Sequence, residues 1–176
     1  MLRHALIAAI TLSTSPAFAQ WSAEVNGPNV FGEVEVLAIA EMEGSEDFIG
    51  VTCDSDEKMT IGWFYKSDSD ANGKKLDIII QNDKGGRGSF EAVSKDRNDT
   101  YDIFEISDKE DMLEAIEIIA DSNSKIEVGL HSEKTNYKYA DRISAKGSTA
   151  AMALVKKHCG HFFEQPEGAE KEAEDA

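Results

Sequence analysis

Basic residues are scarce in this chain: 18 Lys and Arg stand against 34 Asp and Glu, a formal charge of −16. A surface so acidic repels phosphate backbones and anionic headgroups, which argues against nucleic acid or an anionic membrane as partner. Cysteine is scarcer still, with only Cys53 and Cys159. They lie too far apart to form the C-x-x-C pair of a thiol–disulfide exchanger. No apolar run approaches the ~20 residues of a membrane-spanning helix. There is no G-x-S-x-G nucleophile elbow, no recognisable Ser-His-Asp arrangement and no internal repeat.

What is present begins at the amino terminus. Arg3 makes a short basic head, Ala5 to Leu12 is apolar apart from Thr11, and Ala17-Phe18-Ala19 has the A-x-A form that a signal peptidase cuts. Residues 1–19 are therefore read as an export signal, leaving Gln20 first. Loss of Arg3 leaves 34 acidic and 17 basic residues, a charge of −17. No Cys adjoins the cleavage point, so lipid attachment is not expected. In an oxidising compartment two cysteines and no others predict one disulfide, Cys53–Cys159. It would close a loop of about a hundred residues, worth up to ~4–5 kcal/mol by restricting the unfolded chain.

The middle of the chain alternates with period two. Val34, Val36, Ala38 and Ala40 share one face, then Ile49, Val51 and Cys53, then Met59, Ile61, Trp63 and Tyr65, then Leu76, Ile78 and Ile80. Phe90 and Ala92 mark a weaker strand, and Tyr101, Ile103, Phe104 and Ile106 one of mixed phase. Short turn-rich links join them, which predicts an antiparallel meander. The period then changes. Ser107-Asp108-Lys109-Glu110 has the form of a capping box, with Ser107 as N-cap, and Met112, Leu113, Ile116, Ile119 and Ala120 follow at helical spacing. Ile126, Val128 and Leu130 make another strand, and Tyr137, Tyr139 and Ile143 one more. Ser148 is expected to cap a last helix with the stripe Ala151, Leu154, Val155 and Cys159, stopped at Gly160. Residues 164–176 lack apolar periodicity and are rich in acids, the composition of a disordered tail.

One segment has the chemistry of a cation site. Asp68-Ser69-Asp70-Ala71-Asn72-Gly73 matches the first half of a calcium loop, with oxygen ligands at Asp68, Asp70 and Asn72 and a glycine for the sharp turn. Position 12, which should be a bidentate Glu, is Ile79, and the flanks read as strands. Asn72-Gly73 is also a preferred hairpin pair, and the hairpin is the reading favoured here. Asp54, Asp56 and Glu57 cluster in a turn and are read as a solvated loop. His158 and His161 supply two imidazoles at most, short of a zinc ligand set. Gly85-Gly86-Arg87-Gly88 is followed by a strand rather than the helix that a phosphate loop requires, and reads as a turn. Trp63, Phe64 and Tyr65 are expected in the core.

From Asp102 onward the layout is helix 108–120, strand 125–130, strand 137–143, then Gly147-Ser148-x-x-Ala151 leading a helix to Cys159, with Val51-Thr52-Cys53 upstream. This resembles the type VI secretion-associated VasI family and related small periplasmic proteins of Gram-negative bacteria. It departs from them after the last Cys, where Gly160 and His161 precede Phe162. The resemblance implies a disulfide-bonded β-rich domain in an accessory role without established catalytic residues, and carries over only Cys53 and Cys159 as the bonded pair. The expectation is an α+β fold over residues 20–163, antiparallel, β-rich and sandwich-like. Two helices complete it, the C-terminal one tied to the sheet by the disulfide. The expected role is an exported periplasmic accessory or interaction protein that is not an enzyme, holds no cofactor and has an envelope or secreted protein as partner. The alternative is a calcium-dependent binding domain using the Asp68–Gly73 loop.

Overall fold

The computed structural model describes residues 21–54, 58–66 and 73–162. The signal segment 1–19, the tail 164–176 and the Asp68–Asn72 loop lie outside the described residues. Nine strands occur in chain order. They are β1 (Ser22–Asn26), β2 (Glu35–Glu41), β3 (Phe48–Asp54), β4 (Met59–Lys66), β5 (Lys75–Asn82), β6 (Arg87–Asp96), β7 (Tyr101–Ile106), β8 (Lys125–Ser132) and β9 (Tyr137–Ser144). Helix α1 (Lys109–Ala120) precedes β8, helix α2 (Ser148–His158) follows β9, and a short 3₁₀ turn (Gly160–Phe162) ends the described chain.

All nine strands pair antiparallel in one sheet of order β1-β2-β3-β4-β7-β6-β5-β8-β9. The fold is α+β, β-rich, as the alternation predicted. The strand order corrects the simple meander. β4 is followed in the sheet by β7, with Trp63 opposite Phe104, and β5 pairs instead with β6 and β8. Alternation reports which face a residue occupies and says nothing about the neighbouring strand, and roughly a third of consecutive strands are not neighbours. Strand β1 adds an edge that the pattern did not reveal, because Ser22, Glu24 and Asn26 face out and only Ala23 and Val25 pack inward.

The inward positions of the strands and the apolar stripes of both helices form one core. Ala38, Val51, Ile61, Trp63, Ile78, Ala92, Ile106, Ile126 and Ile143 are fully buried there, together with Ile116, Ile119, Met152 and Val155. The mixed phase of β7 now has a cause. Phe104 and Ile106 face the core, whereas Ile103 is buried on the opposite face, beside Gly62. Gly50 and Gly62 sit opposite each other in the β3–β4 ladder, and Phe64 lies across Gly50 on that second face, stacked on Phe48 at 4.7 Å. A Cβ on Gly62 would fall 2.1 Å from the Phe104 carbonyl oxygen, so only glycine fits.

The sheet curls until regions near its two ends meet. The Glu43 amide donates to the Arg142 carbonyl at 2.8 Å, and the Trp21 amide to the Lys146 carbonyl at 3.0 Å. The Trp63 indole, buried in β4, donates to Asp47 at 2.9 Å and meets the ring of Tyr139 edge-on.

Both helix starts differ from the expected caps. Asp108, not Ser107, is the N-cap of α1, accepting from the Glu110 and Asp111 amides at 2.9 and 3.1 Å. An Asp carboxylate caps as well as a Ser hydroxyl and also meets the positive helix end, so the frame shifts by one. Helix α2 begins at Gly147 in the left-handed region (φ +88°), and Ser148 lies buried inside its first turn instead of capping it. A Cβ there would sit 3.0 Å from the Trp21 carbonyl oxygen. The tertiary contact with Trp21 therefore sets this start. Thr149 donates its hydroxyl to the Ala120 carbonyl, so the first turn of α2 satisfies the end of α1.

Cys53 on β3 and Cys159 at the end of α2 are disulfide-bonded, 106 residues apart and both buried. Replacing both by Ala should cost about 2–5 kcal/mol of stability, the usual loss for a native disulfide. Urea unfolding of the oxidised wild type beside the double variant measures this. An unchanged midpoint would show that α2 holds its place without the bond.

Candidate functional site

The residues singled out in the sequence mostly serve the fold. Cys53 and Cys159 are consumed in the buried bond. Trp63 and Tyr65 face the core, Tyr65 stacking on Phe104 at 4.8 Å and sharing a hydrogen bond with Ser94 at 2.8 Å. Asp54 closes the β3–β4 turn by accepting from the Lys58 amide at 3.1 Å. Asp56, Glu57 and the calcium-loop residues Asp68, Asp70 and Asn72 lie outside the described residues. Among the described residues no group of three or more His, Cys, Asp or Glu is placed to hold a metal ion. His131 is paired with Asp77 at 3.8 Å, and His158 ends α2.

Only Gly85 and Gly86 of the glycine-rich run belong to the tight β5–β6 turn, because Arg87 and Gly88 already pair in β6; the turn is built around Asn82. This buried side chain accepts from the Lys84 and Gly86 amides and donates to the Ile118 carbonyl at 3.0 Å, tying the turn to α1. Next to it, the Asp83 carboxylate accepts from the Asn123 and Ser124 amides, each at 2.9 Å, and from the Ser124 hydroxyl. Those donors, the Asn123 amide foremost, lower its pKa to about 2. The carboxylate is a latch between two loops.

One loop has no such structural duty at its tip. Residues 27–34 connect β1 to β2, and Asn29 organises them. Its side-chain oxygen accepts from the Phe31 and Glu33 amides at 2.9 and 3.0 Å, while its amide donates to the Glu33 carboxylate at 2.6 Å. Its backbone adds two more bonds, to Glu33 and Gly32. Gly27 (φ +112°) starts the loop, and a Cβ there would strike the Glu33 carbonyl oxygen at 2.4 Å. A local Asx-type turn thus braces the loop from within. At its crest stand Val30 and Phe31, 93% and 82% exposed, the most exposed large apolar side chains described. At the base of the loop lies a cleft of about 360 Å³ whose acidic lining is Glu33, Glu35 and Asp54.

Sequence reasoning passed over this loop. Pro28-Asn29-Val30-Phe31-Gly32 belongs to none of the strands expected from the sequence, and the structure makes it a turn. The available signal was the apolar pair inside it, since a turn that only reverses the chain has no use for two adjacent large hydrophobic residues. No family model matches the chain, and no curated protein and no solved structure matches it significantly.

The Asp83 latch carries a pH signature. Its folded pKa lies below the ordinary Asp value, so its stabilisation is complete above about pH 4 and is lost as pH falls toward 2. Asp83→Asn should flatten the acid limb of the thermal midpoint between those values relative to wild type. Identical acid limbs would assign the acid sensitivity to other carboxylates.

Proposed function

We propose that this chain is an exported accessory or interaction module, without catalytic activity, that docks through the Val30–Phe31 tip. The observation that carries this reading is the combination of near-complete exposure with internal bracing. Two large apolar side chains held in water gain free energy only when something covers them, at about 25 cal/mol for each Å² buried. The Asn29 turn has already met the cost of ordering the loop, so little more is lost on binding. Export is supported by the basic head, apolar run and A-x-A pattern of residues 1–19 and by the disulfide, a bond that persists in oxidising compartments. An accessory role in the cell envelope also suits the layout that resembles the VasI family. Among the described residues no helix is long and apolar enough to cross a membrane.

A photo-crosslinking residue at position 30 should trap a discrete protein in cells, whereas the same residue at Asp99, exposed in the β6–β7 turn at the other end of the strands, should trap none. Equal trapping at both positions would sink the docking reading. Calcium supplies the competing outcome. The interaction module expects the same thermal midpoint in EDTA and in about 5 mM calcium, a level above the weak affinities of extracellular calcium modules. A rise that Asp70→Ala abolishes would instead make the Asp68–Asn72 loop the working site.

A further inference from the structure

We infer that the tip of one copy seats in a depression on the β5–β8–β9 face of a second copy, so that the chain self-associates head to tail. This rests on the reading of the tip as a docking element and names its partner. The depression lies on the side of the sheet away from the helices. Ile79, Gly129 and Ala140 are directly opposite one another across the three strands and form an apolar floor. Gly129 has no side chain, so the floor dips between its neighbours. The hollow measures about 390 Å³, in the size range of small-ligand pockets. An aromatic ring laid over a strand glycine is an arrangement that this sheet already uses, where Phe64 covers Gly50.

Charge favours the same pairing. Residues 21–57 hold ten Asp and Glu and no Lys or Arg, and Glu33 and Glu35 flank the tip. Residues 125–146 reverse the balance, with five Lys and Arg against three acids. Arg87 and Lys138 stand at the rim of the hollow. The acid beside them, Glu127, is already met by Lys125 at 2.9 Å and Arg142 at 3.6 Å. An apolar knob with an acidic collar thus matches an apolar hollow with a basic rim. The tip does not occupy its own hollow, since its side chains are free. It projects at the Glu35 end of β2, while the turn after the other end, at Glu43, is what reaches β9.

The two patches are different, so the contact is heterologous. After pairing, one copy keeps a free hollow and the other a free tip, and assembly closes only if the rotation brings it back on itself. A contact centred on two side chains is small and belongs with weak interfaces, and its exposed charges make it weaken with salt.

The test uses the mature oxidised chain in sedimentation velocity from about 10 µM to about 1 mM, a span suited to weak complexes. Runs at about 0.05 and about 0.5 M salt read the screening. Phe31→Ser removes the knob, and Ala140→Glu, at an exposed position, fills the hollow and opposes the collar. Thermal unfolding checks that both variants fold. The expected result is a wild type whose average mass rises with concentration and falls with salt, and two variants that each stay monomeric. Their equimolar mixture should form dimers and nothing larger, because one intact knob and one intact hollow remain. A monomeric wild type, a variant that still associates as wild type does, or a mixture that stays monomeric would each overturn the proposal. Crosslinks from position 30 to a different protein, with a monomeric wild type, would overturn it while leaving the docking role of the tip standing. Failure of both would remove the tip from function altogether.

Discussion

A sheet of nine strands has one face that must be taken out of water, and this chain has only two helices to do it with. That constraint explains most of what the structure contains. Each inner strand presents apolar residues on the same side, and α1 packs against β5 and β6 while α2 packs against β1, β2 and β3. The curl of the sheet reduces the area left to cover. The helices also complete each other: Thr149 in α2 takes up the last carbonyl of α1, and Lys156 pairs with Glu117. Helix α2 is 11 residues long, so its own helical stability is marginal. The bond from Cys159 to Cys53 fixes it where the core needs it.

Much of this was legible in the residues. Period-two alternation located seven of the eight inner or C-terminal strands by face, and the change of period located both helices. The exception, β7, read as mixed because it is buried on both faces, with Ile103 beside Gly62. Three features were illegible for physical reasons. Strand order depends on long-range pairing, which a local pattern does not encode. The start of α2 is set by Trp21, far away in sequence. The cap of α1 was displaced by one residue because Ser107 and Asp108 are chemically equivalent as caps. The candidate site was harder still. Its two apolar residues are unremarkable by type, and only their exposure on a braced loop singles them out.

The distribution of charge along the chain has the same quality. The total of −16 suggests a uniformly repelling surface, yet the acidic excess is concentrated in the first strands and reversed around β8 and β9. Whole-chain charge governs solubility and long-range steering, whereas recognition responds to the local field at the contact. A strongly acidic protein can therefore offer a basic face, and here that face surrounds an apolar hollow.

The distance in sequence between α2 and the strands it covers has a bearing on synthesis. Strands β1 to β3 are the first described elements to be made, and the helix that shelters them follows all nine strands. Their apolar side must wait, uncovered, until every strand of the sheet has been made, and contacts of such high order form slowly. During that interval the nascent sheet is at its most adhesive, so the burden of this topology falls on whatever escorts the unfinished chain.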